Sequence, residues 1–182
     1  MSRRVAEARL AVPVGESDHA QGPAAAAVTL VEYGDYECPS CGQAYPIVKE
    51  LQRRLGSQLR FVFRNFPLAT AHPHAERAAE AAEAAGAQGQ FWAMHDTLFE
   101  NQNALDDEDL VRYAAALGLD ESQFVADLAR RAYAVRVRED FMGGVRSGVN
   151  GTPTFFINGR RHDGPFDLDT LFAAIEDVIG QG

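Results

Sequence analysis

The chain is poor in cysteine. It has two, Cys38 and Cys41, separated only by Pro39 and Ser40. A disulfide between such near neighbours closes almost no loop, so it removes little chain entropy and is no staple for the fold. Lysine is scarcer still, Lys49 being the only one, and arginine carries the rest of the cationic charge. The net charge is −9. A phosphate-binding surface needs a basic surplus, so no nucleic-acid partner is expected. No apolar run reaches the roughly 18 residues that span a membrane. Ser2-Arg3-Arg4 resembles a twin-arginine start, but Glu7 and Arg9 interrupt the next stretch of chain, and no apolar segment of about 7–15 residues is present. No export signal is read, which places the protein in the cytoplasm.

What the chain does have is apolar material. With 182 residues and 46% hydrophobic content it can build one domain with a substantial core. Residues 1–27 mix charge with Pro13, Gly15 and Gly22-Pro23, and read as an irregular leader lying against that domain. Val28–Tyr33 is a short buried strand. From Pro39 to Leu55, Ala44, Ile47, Val48, Leu51 and Leu55 recur at helical spacing, with Pro46 expected to kink or break the helix and Gly56 to stop it. Leu59–Phe66 alternates as a strand does.

Residues 72–147 form a helical block, with segments expected near 74–88, 90–101, 107–117, 121–129 and 131–147. Gly118, Asp120 and Gly143-Gly144 punctuate it. Gly151–Ile157 then reads as a strand introduced by Thr-Pro, and Asn158-Gly159 as a hairpin turn with Arg160–Asp163 returning. Leu168, Leu171, Phe172, Ile175 and Val178 complete an amphipathic helix. The order is β-α-β, helices, then β-β-α: an α/β thioredoxin fold from residues 28–71 and 148–182, with residues 72–147 as an all-helical insertion between its halves.

A strand that delivers Cys-x-x-Cys to the first turn of a helix is a redox arrangement. The helix N-terminus carries about half a positive charge and favours thiolate at Cys38. Pro39 and Ser40 tune that preference, and neither supplies a positive charge. Glu32 stands mid-strand among apolar residues. Burial there would raise its pKa and let it take the proton from Cys41 during attack on a mixed disulfide; the alternative is a solvent-facing strand-edge glutamate. Pro153, at the start of a strand, is a candidate cis proline, against an ordinary trans one.

Thr29–Cys41, with Gly151–Gly159 and the insertion segments His72–Ala75 and Phe91–His95, resembles the DsbA-like thiol–disulfide oxidoreductases from about residue 12 onward. The resemblance implies Cys38 as exposed nucleophile, Cys41 as buried resolving thiol, Glu32 as buried acid, and Thr152 with cis Pro153 as substrate-binding groups. It implies no cofactor beyond the Cys38–Cys41 disulfide, and as partners protein thiols or disulfides and a recycling redox protein. A monomer is expected. Strong oxidants of the family have histidine where this chain has Ser40, so a potential below about −120 mV is expected. Rival readings are a redox-inactive peptide-binding module and a glutathione-using isomerase or transferase, the latter disfavoured by the intact cysteine pair.

The remaining polar residues read more plainly. His72, His74 and His95 could join the cysteines in a zinc site, but helix-start and core roles fit them better, and no metal is assigned. Phe91, Trp92 and Phe99 read as core. Asp106–Asp109 reads as a helix cap.

Overall fold

The computed structural model describes residues 7–182, so the Ser2–Arg4 segment lies outside the described residues. The element order is β1 (His19–Gln21), β2 (Val28–Gly34), α1 (Pro39–Leu55), β3 (Leu59–Asn65), five helices, β4 (Thr154–Ile157), β5 (Arg160–Arg161) and a last helix. The five are α2 (Ala75–Ala87), α3 (Phe91–Glu100), α4 (Asp107–Ala116), α5 (Glu121–Ala129) and α6 (Ala134–Arg146); the last is α7 (Leu168–Gly180). One sheet runs β1-β3-β2-β4-β5. β2 and β3 are parallel; the other pairs are antiparallel. This is the expected thioredoxin arrangement. Among the described residues no helix is long and apolar enough to cross a membrane.

β2 is covered on both faces, which is why it reads as a nearly continuous apolar run. Side chains alternate across the sheet. Val28 and Leu30 face a large core shared with α1, α3 and α7, while Val31 and Tyr33 face a smaller one with Val62, Phe66 and Phe156. Glu32 shares the parity of Leu30, which aims it at the α1 side. Its sheet neighbours are Phe63 on β3 and Phe155 on β4.

Helix α1 buries Cys41, Ala44, Val48, Leu51 and Leu55 at intervals of three and four. Of the two outcomes expected for Pro46, a break does not occur: the helix is continuous from Pro39 to Leu55. A proline costs one ladder bond, here to the Gly42 carbonyl, and the buried stripe on either side holds the helix together. At its end Gly56 adopts φ 51°. Gly143-Gly144 lies inside α6, within the segment expected near 131–147. A Cβ at Gly144 would sit 2.7 Å from the Phe66 ring, so the pair lets α6 press onto the second sheet face.

From residue 7 onward the leader is more ordered than its composition suggests. Arg9 bridges to Arg160 on β5, Leu10 and Val14 pack on the second face, and β1 pairs with β3 at the opposite edge. Buried Arg64 grips it, donating to both carboxylate oxygens of Asp18 at 2.8 and 2.9 Å and to the Val12 carbonyl at 2.8 Å. The leader thus meets the sheet at both edges, as β1 beside β3 and as a single bridge to β5. The Asn158-Gly159 turn has positive φ at both residues, as that dipeptide favours, but β5 ends at Arg161 and not Asp163. Asp106 and Asp109 form a reciprocal capping box at α4.

Candidate active site

β2 ends at Gly34, a short turn comes next, and Cys38 is the N-cap of α1 with Pro39 beginning the helix. Cys38 thus meets the positive end of the helix dipole. Its thiol pKa is lowered from 9.0 to about 5. The largest contribution is a hydrogen bond from Cys41; burial opposes it, and Thr152 with the backbone N–H groups of Cys41 and Ser40 adds to it. Ser40 therefore acts through its main chain. Cys38 is 7% exposed, against the expectation of an exposed nucleophile. The Thr152 carbonyl lies 3.5 Å from its sulfur.

Cys41 is fully buried, and the Asp35 N–H donates to its sulfur at 3.5 Å. Burial above all, then its bond to Cys38 and the nearby Glu32 and Cys38 charges, pushes its thiol far above the ordinary value. Two cysteines within one helical turn are thus driven in opposite directions. Beneath them Glu32 is 2% exposed, not at a solvent-facing edge. Its pKa is pushed up to about 8, first by burial and then by the Cys38 charge. Its Oε1 has no hydrogen-bond partner. A carboxyl that dry holds a proton near neutrality.

The Thr152–Pro153 peptide bond is cis. Thr152 Oγ1 is buried with no other hydrogen-bond partner, and its side chain favours the Cys38 thiolate. Two cavities lie beside Pro153 and Pro39. One of about 280 Å³ is lined by Pro153, Phe155 and His162, and one of about 490 Å³ by Glu37, Pro39, His74 and Gln102.

Several supporting residues escaped the sequence reading. Gln102 of the insertion donates to the carbonyls of Tyr36 at 3.0 Å and Cys38 at 2.9 Å, fixing the loop that carries Cys38. Gly42 makes room for it, since a Cβ there would lie 2.1 Å from Gln102 Oε1. No periodicity marks such a residue. His72 and His74 reach back to Asp35 and Glu37, both at the approach to Cys38. His95 is buried with Nδ1 2.9 Å from the Tyr36 hydroxyl, and burial holds its pKa well below 6.5, so it is a neutral core residue. Among the described residues no cluster of three or more His, Cys, Asp or Glu could hold a metal ion. Phe91 and Phe99 are buried as expected and Trp92 packs against the same core.

Fold and insertion define a DsbA-like architecture carrying a Cys-x-x-Cys at a strand–helix junction. Comparison with known proteins supplies the family: the family model described as thioredoxin matches residues 15–177, and the chain belongs to that family. Among solved structures, oxidised BdbD from Bacillus subtilis is 25% identical with a TM-score of 0.80, covering 90% of this chain and 93% of that one. A thioredoxin-like oxidoreductase from Silicibacter pomeroyi is 26% identical with a TM-score of 0.78 and 92% coverage of both chains. Wolbachia pipientis alpha-DsbA1, at 19% identity and a TM-score of 0.79, covering 94% of this chain and 95% of that one, shares the fold.

Curated relatives include the Na(+)/H(+) antiporter NhaA 1 of Salinispora arenicola, 53% identical over 171 residues. That match covers 93% of this chain and 26% of the relative. The antiporter NhaA 1 of Mycobacterium sp. (strain KMS) is 47% identical over 88% of this chain and 27% of its own length. The chain spans about a quarter of the curated relatives it matches.

Proposed function

We propose that the protein is a dithiol–disulfide oxidoreductase that donates the Cys38–Cys41 disulfide to protein thiols. The observation that carries the reading is the opposed pair of thiols, with a stabilised thiolate at Cys38 and a proton-retaining Cys41 above Glu32. A substrate thiolate attacks Cys38 Sγ, the S–S bond breaks, and Cys41 leaves with the electron pair and takes up a proton, for which Glu32 is the donor. A second substrate thiolate then attacks the substrate sulfur of the mixed disulfide and releases Cys38 as thiolate. The substrate dithiol is oxidised by two electrons, and the protein disulfide is reduced by the same two. Run backwards, Cys38 attacks a substrate disulfide and Cys41 resolves it, with Glu32 as the base. Thr152 and Pro153 present the backbone against which an extended substrate lies.

Direction follows from charge. Stabilising the thiolate of the leading cysteine stabilises the dithiol and makes the disulfide more oxidising. A Cys38 pKa of about 5 lies between roughly 7 for thioredoxin and 3.5 for DsbA. The expected potential therefore falls between about −270 and −120 mV. A disulfide donor works in an oxidising compartment, whereas residence in a reducing cytoplasm goes with the reductase direction. Sodium–proton exchange, the activity in the relatives' names, needs membrane-spanning helices, and no described helix here can span.

The test is equilibration of the Cys38–Cys41 pair in glutathione buffers, with alkylation read by mass. A potential near −180 mV or above supports disulfide donation; one near −270 mV makes the protein a reductase. Retention of biological activity by Cys38→Ser/Cys41→Ser would replace both with a peptide-binding role.

A further inference from the structure

One side chain of the helical insertion reaches the main chain of the redox loop. Gln102 follows α3 in a turn, half-buried, and its Nε2 donates to the Tyr36 carbonyl at 3.0 Å and to the Cys38 carbonyl at 2.9 Å. A carboxamide has two N–H donors, and both are spent on the carbonyls either side of Glu37. The Cys38 carbonyl also accepts the Gly42 N–H at 3.0 Å, and the Cys38 N–H donates to the Asp35 carbonyl at 3.2 Å. Both lone pairs of the Cys38 carbonyl are thus engaged.

The turn that presents Gln102 is itself tied down. Asn101 Nδ2 donates to the Thr97 carbonyl at 2.8 Å, the Ala104 N–H to the Asn101 carbonyl at 3.0 Å, and the Tyr113 hydroxyl of α4 to the Ala104 carbonyl at 2.6 Å. Leu105, which follows, is buried. On the other side of the contact, α1 has a glycine where its first turn meets the carboxamide. A Cβ at Gly42 would lie 2.1 Å from Gln102 Oε1 and 2.7 Å from its Cδ. Glycine inside a helix is disfavoured relative to alanine, so this position carries a local cost that the Gln102 contact explains.

We propose that Gln102 is a positioning residue for Cys38: its carboxamide fixes the N-cap main chain, and with it the place of Sγ against the free N–H groups of α1, and Gly42 is the gap that admits it. The inference rests on the disulfide-exchange reading and deepens it. An N-cap side chain is served by the N–H groups at the second and third helical positions. Here these belong to Ser40 and Cys41, Pro39 having no N–H at the first. Both favour the Cys38 thiolate. Their reach to the sulfur depends on the Cys38 dihedral angles, φ −69° and ψ 123°, which the bonds to its N–H and carbonyl hold. A small misplacement weakens a preorganised contact of this kind. The cysteines lie in the thioredoxin half of the chain and Gln102 in the insertion, so the insertion sets the reactivity of a thiol it does not carry.

Gln102→Met keeps the length of the side chain and removes both donors. It is expected to raise the Cys38 midpoint, followed by thiolate ultraviolet absorbance, by about one unit, and to shift the glutathione equilibrium roughly tenfold toward the disulfide. Gly42→Ala leaves Gln102 in the chain but evicts its carboxamide, the flexible end of that side chain. The same shift is expected, and the double variant is expected to shift no further than either single one. Should Gln102→Met fail to fold, Gly42→Ala alone carries the test. An unchanged Cys38 midpoint in either folded variant would overturn the inference, even with a loss of stability in urea, since Gln102 would then be a packing residue only. Fully additive shifts would also overturn it, because Gly42 would be acting apart from Gln102. Absence of disulfide exchange in the unsubstituted protein would instead defeat the activity reading, while the Cys38 midpoint would still report on Gln102.

Discussion

Replacing Glu32 with glutamine should make the protein more stable and a slower enzyme. The carboxyl has a pKa of about 8 where an unburied one has 4.5. A raised pKa means that the folded state binds the proton more tightly than the unfolded chain. Stability from this group is complete below about 4.5 and is lost as pH rises toward 8. At 1.36 kcal/mol per unit, the loss amounts to about 1 kcal/mol at pH 5, about 3 at pH 7 and about 4 at pH 8. A glutamine side chain cannot ionise and escapes this loss. Urea denaturation of the reduced protein should therefore give an advantage to Glu32→Gln that grows by about 3 kcal/mol between pH 5 and pH 8. In the same variant the resolution of a mixed disulfide by Cys41 should slow about a hundredfold, the scale of a lost general base. A stability difference that does not change with pH would refute the buried, proton-holding glutamate. An unchanged resolution rate would refute its service to Cys41.

Two further outcomes concern other parts of the molecule. The rate of Cys38 alkylation should be half-maximal near its pKa of about 5 and level above it, and a midpoint near the ordinary 9.0 would remove the stabilised thiolate. Asp18→Ala should cost about 3 kcal/mol, because it leaves buried Arg64 short of its carboxylate. Asp18 titrates below 3.8, burial opposing but the Arg64 and Gly15 bonds and nearby arginine charges prevailing, so the wild-type advantage holds above that value and is lost as pH falls through the folded pKa. A loss below about 1 kcal/mol in denaturation would mean that the leader is held by other contacts.

Local pattern settled most of the architecture. The apolar run of β2, the alternation Leu59–Phe63, the three-and-four spacing along α1 and the Asn-Gly turn are each set within one or two turns of chain, so they are legible in the sequence. Even the parity of Glu32 with Leu30 points it toward the α1 side of the sheet, and the position of Cys-x-x-Cys after β2 puts its first cysteine at the helix cap. The expected helices 72–147 lie within a few residues of α2–α6.

What escaped the sequence depends on partners far along the chain. β1 is three residues without an apolar rhythm, and it is a strand because β3 offers an edge and Arg64 holds Asp18. Pro46 looks like a helix breaker until the burial of Cys41 and Ala44 on one side and Val48 and Leu51 on the other is known. Gln102 and His72 carry no periodic signal, yet one bonds the carbonyl of Cys38 and the other the carboxylate of Asp35. The sequence by itself determined the elements and the redox pair, because hydrophobic period and cap chemistry act between near neighbours. Only the tertiary structure decided how dry Glu32 is, how far Cys38 is covered and which charges surround it, because burial and pairing are properties of segments that meet only when the chain has folded.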